Sequence, residues 1–214
     1  MTTLIKAATL SCLGFLLSSS CYAQNWYGGI GIGSSSIDTS SYDLTLADFS
    51  IPGLSVTSSV SDDDSGIKLF AGYNVNKNLA IEFGFMDLGD ILEFRIRGED
   101  TDALSPTFGD VTTINSTTSV DGIFGSAVYQ WPLSNTISFK GKLGMLFWNA
   151  DASGSYVVNS GGSIFESSGT VSDDGQDLTY GIELDINWIG FEYEVYQLED
   201  EDIEYIGVKA TYNF

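Results

Sequence analysis

Apolar and polar side chains alternate with a period of two along most of the chain after residue 23. In the segment 79–86, LAIEFGFM, every odd-numbered position is leucine, isoleucine or phenylalanine. Successive side chains of a β-strand point to opposite faces of a sheet, so this alternation predicts strands with one apolar face. The pattern predicts eight strands, which are residues 26–35, 66–75, 79–86, 123–131, 137–148, 178–186, 189–196 and 204–214.

Short and long connections alternate between the predicted strands. Short turns fall at 75–78, 132–136 and 187–188, and long connections fall at about 36–65, 88–121, 150–177 and 197–203. This order is typical of membrane β-barrels, which have short periplasmic turns and longer outer loops. A tilted strand of about 9–11 residues can cross the hydrocarbon layer. The predicted fold class is therefore all-β: an eight-stranded antiparallel, up-and-down transmembrane β-barrel with four long outer loops and three short periplasmic turns.

The charged residues of the predicted strands share one face. They are Lys68, Glu82, Lys140, Lys142, Glu183, Asp185, Glu192, Glu194 and Lys209. The opposite face is apolar and aromatic, as Phe139, Leu143 and Phe147 illustrate. A lysine that faced lipid at the bilayer midplane would cost about 2–4 kcal/mol, so the charged face is expected to point inward. Because eight strands leave room only for side chains, we expect a plugged interior in which these charges pair.

A soluble eight-stranded barrel of the lipocalin kind is the alternative interpretation. Such a barrel has an apolar ligand cavity and a polar outer surface. The segment 139–148, FKGKLGMLFW, favours the membrane barrel because its two lysines share the predicted inner face. After residue 23 no window approaches 18 consecutive apolar residues, so no transmembrane helix is predicted.

The first 23 residues have the order of a secretory signal peptide. Lys6 precedes an apolar run at 7–17, and small residues lead to Ala23. We expect cleavage after Ala23, which leaves residues 24–214 as the barrel domain. Lipoprotein processing at Cys21 is the alternative. The other cysteine also lies in this segment, so the mature chain is expected to have no disulfide bond.

The composition is strongly acidic, with 29 aspartates and glutamates, 8 lysines and arginines, and a formal net charge of -21. Nucleic acid is excluded as a partner because its phosphates require basic residues. Most of the acidic residues lie in or beside the long connections, where solvated loops are the simplest interpretation. The alternative is weak binding of divalent cations that bridge the loops to lipopolysaccharide. No stretch has the spacing of an EF-hand loop, so no metal site is assigned.

Four stretches resemble the membrane domain of OmpA-type outer-membrane proteins, to which the small OmpX and Ail barrels are related. They are residues 25–29, 71–89, 140–151 and 207–214. The resemblance implies an envelope-integrity or adhesive protein, exported across the inner membrane to the outer membrane of a Gram-negative bacterium. It implies no cofactor. The expected partners are outer-membrane lipid, lipopolysaccharide and the barrel-assembly machinery, for which Tyr212 and Phe214 resemble the insertion signal. OmpA proper continues into a peptidoglycan-binding domain, which is not expected here.

The resemblance also implies an interior charge network, for which Glu82, Lys142 and Glu183 occupy matching positions. Three positions depart from the family pattern: Gly31 and Val128 where a lysine is usual, and Glu192 where an arginine is usual. Lys68, Lys140 and Lys209 are expected to supply the missing positive charge. A rewired network puts the gate-like behaviour of the family in doubt for this chain.

Catalysis is disfavoured because the chain contains no histidine, the usual general base near neutral pH. Glu192 and Glu194 could form a glycosidase pair, but ion pairing with the nearby lysines is expected instead. The glycines of the segment 29–33 lack nucleotide-loop spacing and are expected to leave room for long side chains. We therefore predict a non-enzymatic structural barrel whose acidic loops serve adhesion to a surface receptor. The alternatives are a small, porin-like, cation-preferring channel and an outer-membrane enzyme.

Overall fold

A computed structural model describes residues 25–37, 52–198 and 201–214. They form ten β-strands: β1 (Trp26–Ile37), β2 (Leu54–Ser61), β3 (Asp63–Asn74), β4 (Leu79–Asp87), β5 (Leu92–Asp100), β6 (Val111–Pro132), β7 (Ile137–Ser160), β8 (Ser163–Ile186), β9 (Ile189–Leu198) and β10 (Glu201–Asn213). Within these ranges there is no helix with the length and apolar character needed to cross a membrane. The predicted signal peptide lies outside the described residues.

Eight of the strands close into a barrel in the order β1, β3, β4, β6, β7, β8, β9 and β10. All neighbouring pairs are antiparallel, and β10 closes the ring by pairing with β1 from Tyr27↔Asn213 to Ile37↔Ile203. A closed ring pairs the backbone N–H and C=O groups between strands, as the hydrocarbon layer demands. The predicted eight-stranded antiparallel transmembrane barrel is confirmed.

The two remaining strands are outward continuations of barrel strands. β2 continues β3, and β5 continues β4. The number of residues between Ser61 and Ile67 equals the number between Asp87 and Glu93, so the pairs Ser61↔Glu93 and Ile67↔Asp87 belong to one register. The break between β4 and β5 contains Gly89, whose φ is 77°. There the Asp64 carboxylate accepts a hydrogen bond of 2.7 Å from the backbone N–H of Asp90. This bond, with one from the N–H of Ser65, lowers the pKa of Asp64.

Beyond the barrel, five strands form an open extension that we call the outer sheet. It consists of β2, β5 and the parts of β6, β7 and β8 at residues 111–119, 150–160 and 163–174. Only Gly161 and Gly162 connect β7 to β8, which pair from Ser160↔Ser163 down to Ile137↔Ile186. Among the described residues the sheet has two free edges, because there β2 pairs only with β5 and this part of β8 pairs only with β7.

The extents predicted for the long connections are wrong. Most residues of 88–121 and 150–177 belong to strands, and the connection 36–65 contains β2. The connection at 197–203 also shortens, because β9 ends at Leu198 and β10 begins at Glu201. The physical reason is that strands outside the bilayer do not need a lipid-facing apolar side, so their pattern differs from that of the barrel.

The outward face of the barrel is an apolar band with aromatic residues at its short-turn end. On β7 the band includes Leu143 and Phe147, which are exposed on the isolated chain. At the short-turn end, the ring centroids of Trp26 and Tyr73 are 5.2 Å apart, and those of Tyr129 and Trp131 are 4.6 Å apart. Aromatic girdles flank the apolar band of outer-membrane barrels. This arrangement is the reverse of a lipocalin.

Candidate functional site: the charged barrel interior

Charged side chains from six strands meet inside the barrel in what we call the charged layer. It contains all nine residues of the predicted network: Lys68, Glu82, Lys140, Lys142, Glu183, Asp185, Glu192, Glu194 and Lys209. Eight of them are buried, and Asp185 is half-buried. Charges removed from water need close partners of opposite sign, and each of these has at least one.

Lys142 lies at the centre of the charged layer. Its Nζ is 2.7 Å from Glu183, 2.8 Å from Glu194, 2.9 Å from Glu192 and 3.4 Å from Glu82. These carboxylates come from three different strands, β4, β8 and β9. One ammonium group therefore ties together strands that are distant in sequence.

Two further lysines bridge pairs of the same carboxylates. Lys68 Nζ is 2.5 Å from Glu194 and 3.2 Å from Glu192. Lys209 Nζ is 2.7 Å from Glu183 and 3.3 Å from Glu82. Each of the four buried glutamates thus contacts at least two lysines. This arrangement compensates the cost of removing the carboxylates from water.

Lys140 occupies the side of the charged layer that is nearer to the short turns. Its Nζ contacts Glu183 at 2.9 Å and Asp185 at 2.5 Å. Lys140 and Asp185 border a polar cavity of about 440 Å³ at this end of the barrel. Asparagines supply much of its wall, at positions 25, 74, 76, 135, 187 and 213. We call this cavity the vestibule.

Tyrosine hydroxyls complete the charged layer, and sequence reasoning missed them. The hydroxyl of Tyr27 donates to Glu82 at 3.1 Å, and that of Tyr196 donates to Glu194. Both tyrosines are buried. The sequence could have identified Tyr196, because it lies two residues after Glu194 and therefore on the same face of β9.

Above the charged layer, apolar side chains fill the lumen towards the outer sheet. They include Met86, Leu146, Trp148, Ile203 and Tyr205, each at most 5% exposed. On β7, the inward positions after Lys142 and Gly144 are Leu146 and Trp148, which sets the order of the two layers along the barrel axis. We call this group the apolar plug. The prediction of a filled interior did not identify these residues.

Small residues on the inward face make room for large neighbours. A Cβ on Gly31 would lie 3.1 Å from Oε1 of Glu192, and one on Gly33 would lie 2.7 Å from Cζ of the Tyr205 ring. Val128, the other position that departs from the family pattern, is buried on the inward face of β6. Gly31 therefore borders the charged layer, where a larger side chain would press against the Glu192 carboxylate.

The remaining predicted positions lie outside the charged layer. Tyr212 and Phe214 have ring centroids 5.3 Å apart, and Tyr212 is exposed on the outward face of β10. Their role as an insertion signal stays a prediction. Within the part of the chain that the structure describes, no group of three histidine, cysteine or acidic residues could hold a metal ion.

Comparison with known proteins assigns the family. The sequence model of the OmpA-like transmembrane domain matches residues 22–208. The chain belongs to the OmpA-like transmembrane domain family. A comparison with curated protein sequences gives no match.

This OmpA-like barrel is similar in structure to several solved outer-membrane proteins. Ail from Yersinia pestis is 16% identical, with 89% of this chain and 99% of that chain covered and a TM-score of 0.42. Neisserial surface protein A is 12% identical, with 88% and 97% covered and a TM-score of 0.42. The N-terminal barrel of Pseudomonas aeruginosa OprF is 10% identical, with 89% and 99% covered and a TM-score of 0.41.

Family membership defines the surroundings of the barrel. The protein is an integral protein of the bacterial outer membrane. The vestibule lies at the short-turn end of the barrel, and the outer sheet extends from the opposite end. The apolar band between them contacts lipid.

Proposed function

We propose that this OmpA-like chain is a closed, non-enzymatic barrel that supports envelope integrity and holds the outer sheet at the cell surface for adhesion. The observation that carries the proposal is the filled lumen. The charged layer and the apolar plug lie in series between the vestibule and the outer sheet. A barrel closed twice along its axis is suited to anchoring a surface structure.

Closure follows from the energetics of the two layers. An ion that entered from the vestibule would have to separate buried ion pairs around Lys142, which leaves uncompensated charges in a medium of low dielectric constant. It would then meet the apolar plug, where water and ions are excluded as in a hydrophobic gate. The alternative of a small cation-preferring channel gains little from the vestibule, because Asp185 at its border is paired with Lys140 and the cavity supplies only one end of a pathway.

We propose that the barrel has no catalytic activity because its candidate acidic groups are occupied by ion pairs. Glu192 and Glu194 each contact both Lys68 and Lys142. A glycosidase needs one carboxylic acid that is free to donate a proton to a substrate, whereas both of these side chains are engaged by the same two lysines. With no histidine in the chain, no other general base of the usual kind is available.

The proposal of adhesion is based on the side chains of the outward face of the outer sheet. This face carries serines and threonines on β2 and β6, and charged residues on β5, where Arg97 pairs with Glu99 at 3.2 Å. Hydroxyl and charged groups suit contact with lipopolysaccharide beside the barrel and with a surface receptor. The two free edges of the sheet offer additional backbone hydrogen-bonding groups.

Conductance in planar lipid bilayers tests the closed barrel. We expect no steady single-channel current from the purified protein, because both layers block the lumen. Large, steady, cation-selective currents would contradict the proposal in favour of the channel. A matched variant, Leu146→Ala with Trp148→Ala, thins the apolar plug but keeps the charged layer. We expect at most brief, small openings from it, and this measures how much the plug contributes.

Labelling of intact cells tests the orientation. Leu104, between β5 and β6, is 95% exposed, and the described residues contain no cysteine. A Leu104→Cys variant should react with a maleimide that cannot cross membranes. A matched Asn76→Cys variant, in a periplasmic turn, should react only after the outer membrane is opened. The reverse pattern would contradict the proposed display of the outer sheet.

A further inference from the structure

The distal end of the outer sheet contains a groove of about 690 Å³ that the proposed function does not use. Its floor is formed by Leu54, Val56, Ile96, Ile114 and Val158, which come from β2, β5, β6 and β7. These five residues lie on the sheet face that continues the inward face of the barrel, because the pairing of β6 with β7 runs without interruption. We call this feature the distal groove.

The floor of the distal groove is apolar but is not packed against other described residues. Leu54 and Ile114 are each 38% exposed, and no charged residue interrupts the floor. Phe108, in the loop beside the groove, is 60% exposed. Apolar side chains grouped in a groove of an otherwise strongly acidic protein are suited to contact with the apolar side chains of a partner.

The rim of the distal groove is acidic and is held in place by its own loop. Asp100 accepts hydrogen bonds from the N–H of Asp102 at 2.9 Å and from the hydroxyl of Thr107 at 2.6 Å. Asp110 accepts bonds from the hydroxyl of Ser160 at 2.5 Å and from the N–H of Gly161 at 3.1 Å. All three aspartates line the groove. The carboxylates are therefore oriented before any partner arrives.

None of the basic residues that the structure describes neutralises this rim. Four lysines are in the charged layer and Lys77 is in a periplasmic turn. Arg95 and Arg97 lie on β5, but on the opposite face from Ile96. The remaining basic residue is Lys6, in the predicted signal peptide. The rim consequently presents uncompensated negative charge around an apolar floor.

We propose that the distal groove binds a cationic amphipathic peptide segment, whose apolar side chains contact the floor while its lysine or arginine side chains pair with the aspartates of the rim. Charge complementarity selects this partner. A second copy of the chain would bring two acidic rims together, and like charges at an interface oppose association. The inference rests on the proposed display of the outer sheet at the cell surface, which the Leu104→Cys labelling tests independently.

Binding can be measured with the full-length mature protein in nanodiscs of zwitterionic lipid. The probe is a short fluorescent peptide of leucine and lysine in which the leucines share one helical face. Its anisotropy should rise on addition of the protein nanodiscs and not with empty nanodiscs. A peptide of the same composition in scrambled order should bind more weakly. Affinity should fall as ionic strength rises, because the rim charges become screened.

Matched variants separate the two components of the groove. Ile96→Ser with Ile114→Ser should weaken binding by about tenfold, the loss expected for about one buried apolar side chain. Asp102→Asn with Asp110→Asn should weaken it by about tenfold at low ionic strength and change it little at high ionic strength. The controls, Val111→Ser with Val157→Ser and Asp151→Asn with Asp174→Asn, make comparable changes on the opposite face and should leave affinity unchanged.

Four outcomes would overturn the inference. They are no binding of the peptide, equal binding to empty nanodiscs, no effect of the floor variant, and equal losses in the opposite-face controls. The third and fourth would indicate general attraction to an acidic surface. Each variant must first show the heat-modifiable gel migration of the unchanged protein, so that loss of binding is not loss of folding. If Leu104→Cys is labelled on cells and the peptide still does not bind, the display of the sheet stands and the distal groove proposal fails.

Discussion

The barrel and the outer sheet share β6, β7 and β8, but their outward faces differ, because this face is apolar in the barrel and mainly polar in the outer sheet. On β7 the even-numbered side chains point inward throughout, because the pairing with β6 has no inserted residue. In the barrel this inward set includes Lys142, and in the outer sheet it includes Tyr156 and Val158. The outward set changes in the opposite sense, from Phe147 in the barrel to Asp151 in the outer sheet.

This reversal shows that the alternation depends on what surrounds each part of a strand. Outward apolar residues are favourable where lipid surrounds the barrel, and outward polar residues are favourable where water does. The change falls between Phe147 and Asn149 on β7 and between Ile123 and Asp121 on β6. These positions are neighbours across the two strands, with Ile123↔Phe147 paired. They mark the outer boundary of the apolar band.

The largest expected effect is the removal of the central ammonium group from the barrel interior. Lys142→Met would leave four buried carboxylates with fewer partners and should reduce the free energy of unfolding by about 3–5 kcal/mol. Urea unfolding in lipid vesicles measures it. Lys77→Met, at an exposed turn, is the matched control and should change stability by less than about 0.5 kcal/mol. A similar small change for both variants would show that the charged layer is not structurally important.

A lysine placed outward tests the reversal itself. Leu143→Lys puts a charge into the middle of the apolar band and should cost about 2–4 kcal/mol. Ser153→Lys makes the corresponding change on the outward face of the same strand within the outer sheet, where it should cost less than about 0.5 kcal/mol. The same vesicle unfolding measurement applies. Equal costs would mean that the apolar band extends further along β7 than the reversal indicates.

Glycine substitutions distinguish the packed interior from the open outer face. A Cβ on Gly72 would lie 2.1 Å from Cζ of the buried Tyr27 ring, so Gly72→Ala should reduce stability by about 1–3 kcal/mol. Gly125 faces outward on β6, and nothing lies within 4 Å of a Cβ there. Gly125→Ala should increase stability by up to about 1 kcal/mol, because alanine has fewer unfolded conformations. Destabilisation by both substitutions would contradict the distinction.

The smallest expected effects concern two aspartates with opposite pKa shifts. Burial, with the neighbouring Asp87 and Asp151 carboxylates, raises the pKa of Asp121 at the boundary of the apolar band. The folded state then binds this proton more tightly than the unfolded state, so stability falls as the pH rises above about 4. Asp121→Asn should increase stability at neutral pH by less than about 1 kcal/mol after solvent screening, and the gain should vanish in acid.

Asp100, at the tip of the outer sheet, should respond in the opposite direction. Hydrogen bonds from the Ser105 and Thr107 hydroxyls lower the pKa of Asp100. Its contribution to stability is therefore present above the ordinary aspartate pKa and is lost as the pH falls. Asp100→Asn should destabilise the protein at neutral pH, and the difference should shrink in acid. Urea unfolding midpoints across the pH range measure the stability of both variants. Changes in stability of the same sign for the two variants at neutral pH would contradict the opposite pKa shifts.

Much of the barrel could be predicted because lipid imposes a strict rule on its outward face. When Phe139, Leu143 and Phe147 alternate with Lys140 and Lys142, the strand must separate an apolar surrounding from a charged interior. The tyrosines of the charged layer also share the inward parity and could have been included. The apolar plug could not be found in this way. At the level of Leu146 both faces of β7 are apolar, so alternation carries no information there.

The outer sheet and its groove depend on register between distant segments. The residues 163–174, SIFESSGTVSDD, have the serine and glycine content of a loop, and their strand character comes from pairing with β7. The groove floor joins Leu54 on β2 to Val158 on β7, and these two strands are separated in the sheet by β5 and β6. No local pattern reports such a juxtaposition, because it is created only when the strands align.

The two-glycine connection at Gly161 and Gly162 has a consequence for the order of assembly. Because β7 and β8 are joined so tightly, their pairing from Ser160↔Ser163 onward needs almost no loop closure, and it can progress by adding adjacent pairs. The closing contact Tyr27↔Asn213 instead joins the two ends of the barrel domain and requires the greatest loss of chain entropy. We therefore expect the β7–β8 hairpin to be the first part of the barrel to form and the seam between β1 and β10 to be the last.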